Sequence, residues 1–126
     1  PGKEIQVAVM GTKSLGAIEL RPRRQFYDYH AKYKKSSRTE HIMPAQISRR
    51  KYQEVLKLSE KTVKILNCRG VVRCDFRFYK NKFYLLEANT QPGMTNLSLV
   101  PEIAKFCNIS FVKLIDWMIK DSSINR

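Results

Sequence analysis

Between Gly70 and Thr90 the chain runs Val-Val-Arg-Cys-Asp-Phe-Arg-Phe-Tyr, then Lys-Asn-Lys, then Phe-Tyr-Leu-Leu-Glu-Ala-Asn. Two β-rich runs around a short polar tip read as a hairpin, with Val71 to Tyr79 and Phe83 to Asn89 as arms and Lys80, Asn81 and Lys82 as the tip. A three-residue tip sets Tyr79 against Phe83, which in turn sets Asp75 against Glu87 and Arg73 against Asn89. Side chains alternate with a period of two, so these last four share one face, while Cys74, Phe76, Leu86 and Ala88 share the other. The apolar face belongs to the core. Two carboxylates then stand with Cβ atoms about 5 Å apart, which is destabilising unless a cation lies between them. Arg73 or Arg77 supplies that charge on one reading and a metal ion on the other. For the metal, Asp75, Glu87 and Asn89 form an all-oxygen set suited to magnesium that shares phosphate oxygens with a substrate.

The rest of the chain is organised around this hairpin. Ile5, Val7 and Val9 alternate with Gln6, Ala8 and Met10 before Gly11, so residues 3–10 read as a strand, with Ala17 to Leu20 as its hairpin partner. From Arg21 to Ser48 the periodicity disappears, and a stretch of that length inside a compact domain is functional or disordered. Ser48 caps a predicted helix running to about Leu66, with Tyr52, Val55, Leu56, Ser59, Val63 and Leu66 on one face. Lys51, Glu54, Lys57, Glu60, Lys61 and Lys64 face solvent on this pattern. Leu99 to Phe106 and Phe111 to Ile119 read as two further helices, the second capped by Ser110, with Trp117 and Met118 in the core. The sum is one α+β domain, an antiparallel sheet with flanking helices.

Its 126 residues are enough for a single core without disulfide or metal staples. Lys and Arg outnumber Asp and Glu by 24 to 11, a net +13 that attracts nucleic acid, acidic lipid or nucleotide phosphates alike. Spread along the chain, most of that charge reads as a solvated lysine-rich surface, leaving open the clusters Arg21 to Arg24 and Lys32 to Arg38. Three cysteines without Cys-x-x-Cys spacing indicate neither a disulfide framework nor a zinc ribbon, and fit a reducing compartment. His30 and His41 are too sparse for a metal cluster. With no apolar run near bilayer length and no signal peptide, the expectation is a cytoplasmic protein with no membrane partner. Pro1-Gly2 enters the first strand without an initiator methionine, so the chain reads as a piece of something longer.

After the hairpin comes Thr90-Gln91-Pro92-Gly93-Met94-Thr95-Asn96-Leu97-Ser98-Leu99-Val100-Pro101. Gly93 lets backbone approach a ligand closely, and a serine ahead of a helix presents free N–H groups to an anion. Joined to Leu85-Leu86-Glu87-Ala88-Asn89, this loop becomes specific, and the chain closely resembles the D-alanine:D-alanine ligases of the ATP-grasp family. Four segments match in order and spacing: Gly2 to Val9; Phe26-Tyr27-Asp28-Tyr29-His30-Ala31-Lys32-Tyr33; Gly70-Val71-Val72-Arg73-Cys74-Asp75-Phe76; and Leu85 through Pro101.

The resemblance implies an ATP-grasp C-terminal domain over residues 1–126, the N-terminal and central domains being absent from this chain. Family members phosphorylate the carboxylate of one D-alanine with ATP, and the amine of a second D-alanine attacks the acylphosphate, making the dipeptide of peptidoglycan precursors. By resemblance, Asp75, Glu87 and Asn89 hold two magnesium ions, with manganese as a substitute. Arg73 and the Gly93 N–H stabilise the oxyanion, and Ser98 and the Leu99 amide hold the second substrate's carboxylate. Lys32 touches the ATP phosphates, Phe26 and Leu86 pack on adenine, and Glu4 accepts from the ribose hydroxyls. The aperiodic stretch becomes a lid carrying Tyr33, a residue that favours an amine acceptor over a hydroxy acid. Departures from the family pattern are His30, Gln91 and Leu97, the last bearing on the second-substrate pocket. The complete enzyme is expected to be a homodimer, and this chain alone to be inactive.

Two other readings stand beside this one. Another ATP-grasp carboxylate:amine ligase shares the Asp/Glu/Asn set but not Tyr-Asp-Tyr-x-Ala-Lys-Tyr or Pro-Gly-Met-Thr. A basic nucleic-acid-binding module would use Arg21 to Arg24 and Lys32 to Arg38 on phosphates, with Tyr27, Tyr29 and Tyr33 stacking on bases. The ligase reading expects no nucleic-acid partner.

Overall fold

The computed structural model describes residues 1–22 and 39–123. Phe26, His30, Lys32 and Tyr33 therefore lie outside the described residues. Along the chain come β1 (Lys3–Met10), β2 (Lys13–Pro22), β3 (Thr39–Ile42), α1 (Arg49–Ile65), β4 (Val71–Tyr79), β5 (Lys82–Asn89), α2 (Leu99–Phe106) and α3 (Phe111–Asp121). The strands make one antiparallel sheet in the order β3-β2-β1-β4-β5. β2 is longer than the predicted Ala17 to Leu20. β3 falls inside the stretch that shows no periodicity in the sequence.

Strand parity divides the sheet into two faces. Ile5, Val7 and Val9 of β1, Ala17 of β2, and Val72, Cys74 and Phe76 of β4 pack under α1 with Val55 and Val63. On the opposite face, Ala8, Ile18 and Val71 pack under α2 and α3 with Val100, Ile103, Ala104 and Leu114. α2 and α3 are short and cover only one end of that face. Beyond them lies a polar stretch that includes Glu4 and Gln6 on β1, Arg73, Asp75 and Arg77 on β4, and Glu87 and Asn89 on β5.

The hairpin differs from expectation at its tip. Tyr79 pairs with Lys82, not Phe83, and the tip is two residues, Lys80 and Asn81. Both have positive φ, 46° and 63°, the backbone that a two-residue turn needs to match the twist of its strands. A bulge then restores the expected register. Phe76 pairs with Leu85 but Asp75 pairs with Glu87, so β5 carries one extra residue at Leu86, and Arg73 still faces Asn89. The bulge removes Leu86 from the core face, leaving it 61% exposed. Phe83 replaces it beneath α1, its ring 6.0 Å from Phe76 and 4.6 Å from Phe78.

The helices begin where the caps predict. Ser48 accepts from Lys51 N, and Ser110 from Lys113 N. Lys51, expected in solvent, is buried. Its ammonium reaches Glu54 at 2.7 Å while lying over the Phe83 ring, so its stem covers apolar surface. Leu66, expected on the core face, is the exposed C-cap of α1. Trp117 and Met118 are half-buried against the α2–α3 cluster, with Leu114 the fully buried residue of α3.

One buried acid escapes any periodic reading. The Glu19 side chain is 3% exposed and accepts from Lys3 Nζ at 3.1 Å, Arg21 Nη2 at 2.9 Å and Gln46 N at 3.1 Å. Burial alone pushes its pKa up, but the hydrogen bonds from Arg21 and Lys3 outweigh it and hold the carboxyl below its ordinary value. The interaction ties the segment after β3 to β2.

Candidate active site

β4 supplies the centre of the site. Arg73 and Asp75 are two apart on one strand and so point to one side, where Arg73 Nε donates to Asp75 Oδ1 at 2.8 Å and Nη2 to Oδ2 at 2.9 Å. The fork is largely withdrawn from water, with side-chain exposures of 19% and 14%. Asp75's hydrogen bonds raise the arginine pKa against the opposing effect of burial, and the nearby charges of Glu87 and Glu4 add to the rise. Of the carboxylate pair inferred from the sequence, Asp75 is thus ion-paired with Arg73, the rival to a metal, while Glu87 adds only a nearby charge.

β5 brings Glu87 opposite Asp75 and Asn89 opposite Arg73. Asn89 Oδ1 accepts from Gln91 N at 2.9 Å, which starts the loop that leaves the sheet. From β1, Glu4 pairs in register with Arg77, their closest charged atoms 4.0 Å apart, and receives a long 3.4 Å hydrogen bond from Gln6 Nε2. Asp75, Glu87, Asn89, Arg73 and Glu4 therefore occupy one face, as three adjacent strands dictate. Leu86 adjoins them as the exposed bulge residue.

The loop closes on itself before α2. Ser98 is the N-cap residue but makes no side-chain cap bond. Its Oγ accepts from Thr95 N at 3.1 Å and lies 2.8 Å from Thr95 Oγ1. An ideal Cβ at Gly93 would stand 2.9 Å from Ser98 Oγ, so a larger residue there would force the serine hydroxyl to move. Gly93, Ser98 and Leu99 are thereby brought together at the start of a helix whose first amides are open to an anion. Beside them is a cleft of about 640 Å³ lined by residues that include His41, Leu97, Glu102 and Phe111. His41 Nδ1 lies 2.7 Å from Glu102 Oε2, joining β3 to the first turn of α2. Leu97 is 92% exposed.

Gln6 is absent from the site residues expected from the sequence. It shares Glu4's strand parity, a signal available in the sequence. That β1 would lie beside β4 and set Gln6 opposite Asp75 was not.

An antiparallel sheet with flanking helices, one face carrying oxygen donors and a guanidinium, matches the fold of the ATP-grasp ligases. A solved D-alanine:D-alanine ligase from Bacillus anthracis superposes with a TM-score of 0.83 at 32% identity, over 96% of this chain and 40% of that one. A structure of the Bacillus anthracis ligase complexed with ATP gives 0.81 at 28% identity. The family described as D-ala D-ala ligase C-terminus matches residues 1–120, and the chain belongs to it. D-alanine:D-alanine ligases of Pelagibacter ubique and Xanthobacter autotrophicus are 60% and 47% identical over the whole of this chain. The chain spans 41% and 42% of their lengths.

Proposed function

We propose that this chain is the magnesium-ATP and acceptor end of an ATP-dependent D-alanine:D-alanine ligase, the remaining substrate and nucleotide contacts coming from N-terminal and central domains. The observation that carries the reading is the register of the β4–β5 hairpin. It sets Asp75 opposite Glu87 and Asn89 opposite Arg73, on the same face as Glu4 and beside the Gly93–Ser98 turn.

The donor set fits a hard divalent cation, since Asp75, Glu87 and Asn89 offer only oxygens and Glu87 is exposed. Among the described residues no group of three His, Cys, Asp or Glu side chains is placed to hold a metal ion, and substrate phosphates and water would complete the coordination. When bound, magnesium neutralises charge developing on the transferring phosphoryl group. Asp75, Glu87 and Asn89 would hold the two ions. Arg73 and the Gly93 N–H face the oxyanion of the tetrahedral intermediate. Ser98 and the Leu99 amide hold the acceptor's carboxylate, Leu86 packs on adenine, and Glu4 accepts from the ribose hydroxyls. Phe26, Lys32 and Tyr33 act from the 23–38 segment on the nucleotide and acceptor, as the resemblance implies. The complete enzyme works as a homodimer in the cytoplasm.

The test joins this chain to the segment that precedes the matching region in the Pelagibacter ubique relative and measures phosphate release against D-alanine concentration. Glu87→Gln abolishes turnover in that chimera. Activity retained at wild-type level would remove Glu87 from the metal site.

A further inference from the structure

Arg73 and Asp75 engage each other in full, both carboxylate oxygens accepting from the guanidinium. The proposed function needs them apart, Asp75 toward a divalent cation and Arg73 toward an oxyanion. A guanidinium released from its carboxylate in a site this sheltered needs another acceptor.

Gln6 is the group placed to supply it. It is 5% exposed and sits directly opposite Asp75 in the β1–β4 register. Arg73 faces Ala8, which makes it the diagonal neighbour of Gln6, within reach of a long side chain. Gln6 Nε2 donates to Glu4, while Gln6 Oε1 is buried without a hydrogen-bond partner among the described residues. Turning the amide over would set its oxygen against the Glu4 carboxylate, so the acceptor is the end left over. A buried acceptor without a donor is costly, so a donor brought within its reach is bound firmly.

We propose that Gln6 is a positioning residue for Arg73: when Asp75 turns its oxygens to the divalent cation, the Arg73 guanidinium donates to Gln6 Oε1 and is held over the oxyanion site. The inference rests on the reading of Asp75 as a metal ligand. Without Gln6, opening the fork leaves the guanidinium unmatched, so the cation competes less well for Asp75.

The experiment measures Mn2+ affinity by electron paramagnetic resonance in the same chimera, saturated with a non-hydrolysable ATP analogue. Gln6→Met keeps the side chain's length and removes the acceptor. It weakens Mn2+ binding about tenfold when Arg73 is present and leaves it unchanged in an Arg73→Met background, the coupling expected of hydrogen-bonded neighbours. Equal weakening in both backgrounds, or none in either, overturns the proposal. Because Gln6→Met removes an acceptor that is unmatched among the described residues and gives up only a long 3.4 Å hydrogen bond to Glu4, its melting temperature without nucleotide or metal stays level or rises. A fall would assign Gln6 a purely structural role and also overturn the proposal. Gln6→Leu serves in the same cycle if Gln6→Met does not fold. Asp75→Asn separates the two readings: unchanged Mn2+ affinity removes Asp75 from the metal site, whereas lost affinity beside a silent Gln6→Met overturns only the role of Gln6.

Discussion

Two buried side chains show how neighbours decide ionisation in this protein. Glu19 is held charged by Lys3, Arg21 and the Gln46 amide. Replacing it with Gln leaves those donors poorly matched and lowers stability by about 2 kcal/mol at pH 7, a loss measurable by urea unfolding. Folding lowers the Glu19 pKa from 4.5, so between the two values the unfolded chain binds more protons than the native one. The contribution is complete above the ordinary carboxylate range and disappears as pH falls through the folded value. Wild type and Glu19→Gln therefore converge in stability toward strongly acidic pH, and a gap that stays constant from pH 7 downward would contradict this account. Cys74 has no cationic donors, and its hydrogen bond with Ser59 offsets only part of its burial. Burial is the main cause pushing its thiol up to about 11, and a protonated, enclosed thiol is a poor nucleophile. Native protein at pH 7.5 should show no iodoacetamide label on Cys74, and labelling there at the rate of a free thiol would contradict the packing.

At the scale of elements, the β4–β5 hairpin shows what the sequence carries and what it hides. The opposition of Asp75 to Glu87 is legible from β-rich arms on either side of a polar tip, and it holds in the structure. The route to it is not legible. A two-residue tip and a bulge at Leu86 shift the register once each, and their effects cancel at Asp75. Asn81 is a residue that tolerates positive φ, but nothing about Lys80 reports its own. α1 was readable in its caps and in Val55, Ser59 and Val63. The burial of Lys51 was not, because it depends on Phe83 arriving from a distant strand. Glu19 and β3 were missed for a related reason, since their partners become neighbours only once the sheet forms. The tip gives a direct check. Lys80 adopts a left-handed backbone that an ordinary side chain resists, so Lys80→Asn combined with Asn81→Gly should stabilise the chain by about 1 kcal/mol in urea unfolding. A destabilised double variant would show that the turn is not of this type. Ser110→Ala, which removes the α3 cap, should cost about 1 kcal/mol in the same assay.

Among the described residues, one face of the sheet is covered and the other only in part. Tyr84, Leu85 and Leu86 are exposed along β5, which is an edge strand of the sheet. An exposed edge with apolar side chains is a surface that folded proteins ordinarily cover. Here it lies next to the acid-bearing face, on the side where adenine and the domains that close over it belong in the proposed enzyme. Net charge cannot substitute for that cover. The surplus of +13 draws nucleotide phosphates toward the chain, but attraction without a closed site neither orients the γ-phosphate nor excludes water. Nor do the residues assigned here include a site for the first D-alanine. The 126-residue chain incubated with ATP, magnesium and D-alanine should therefore form no dipeptide, as followed by amino-acid analysis. The chimera carrying the preceding segment of the Pelagibacter ubique relative should form it under the same conditions. Dipeptide made by the short chain alone would mean that its partly open face is a complete active site, and would overturn the division of labour proposed for the two parts.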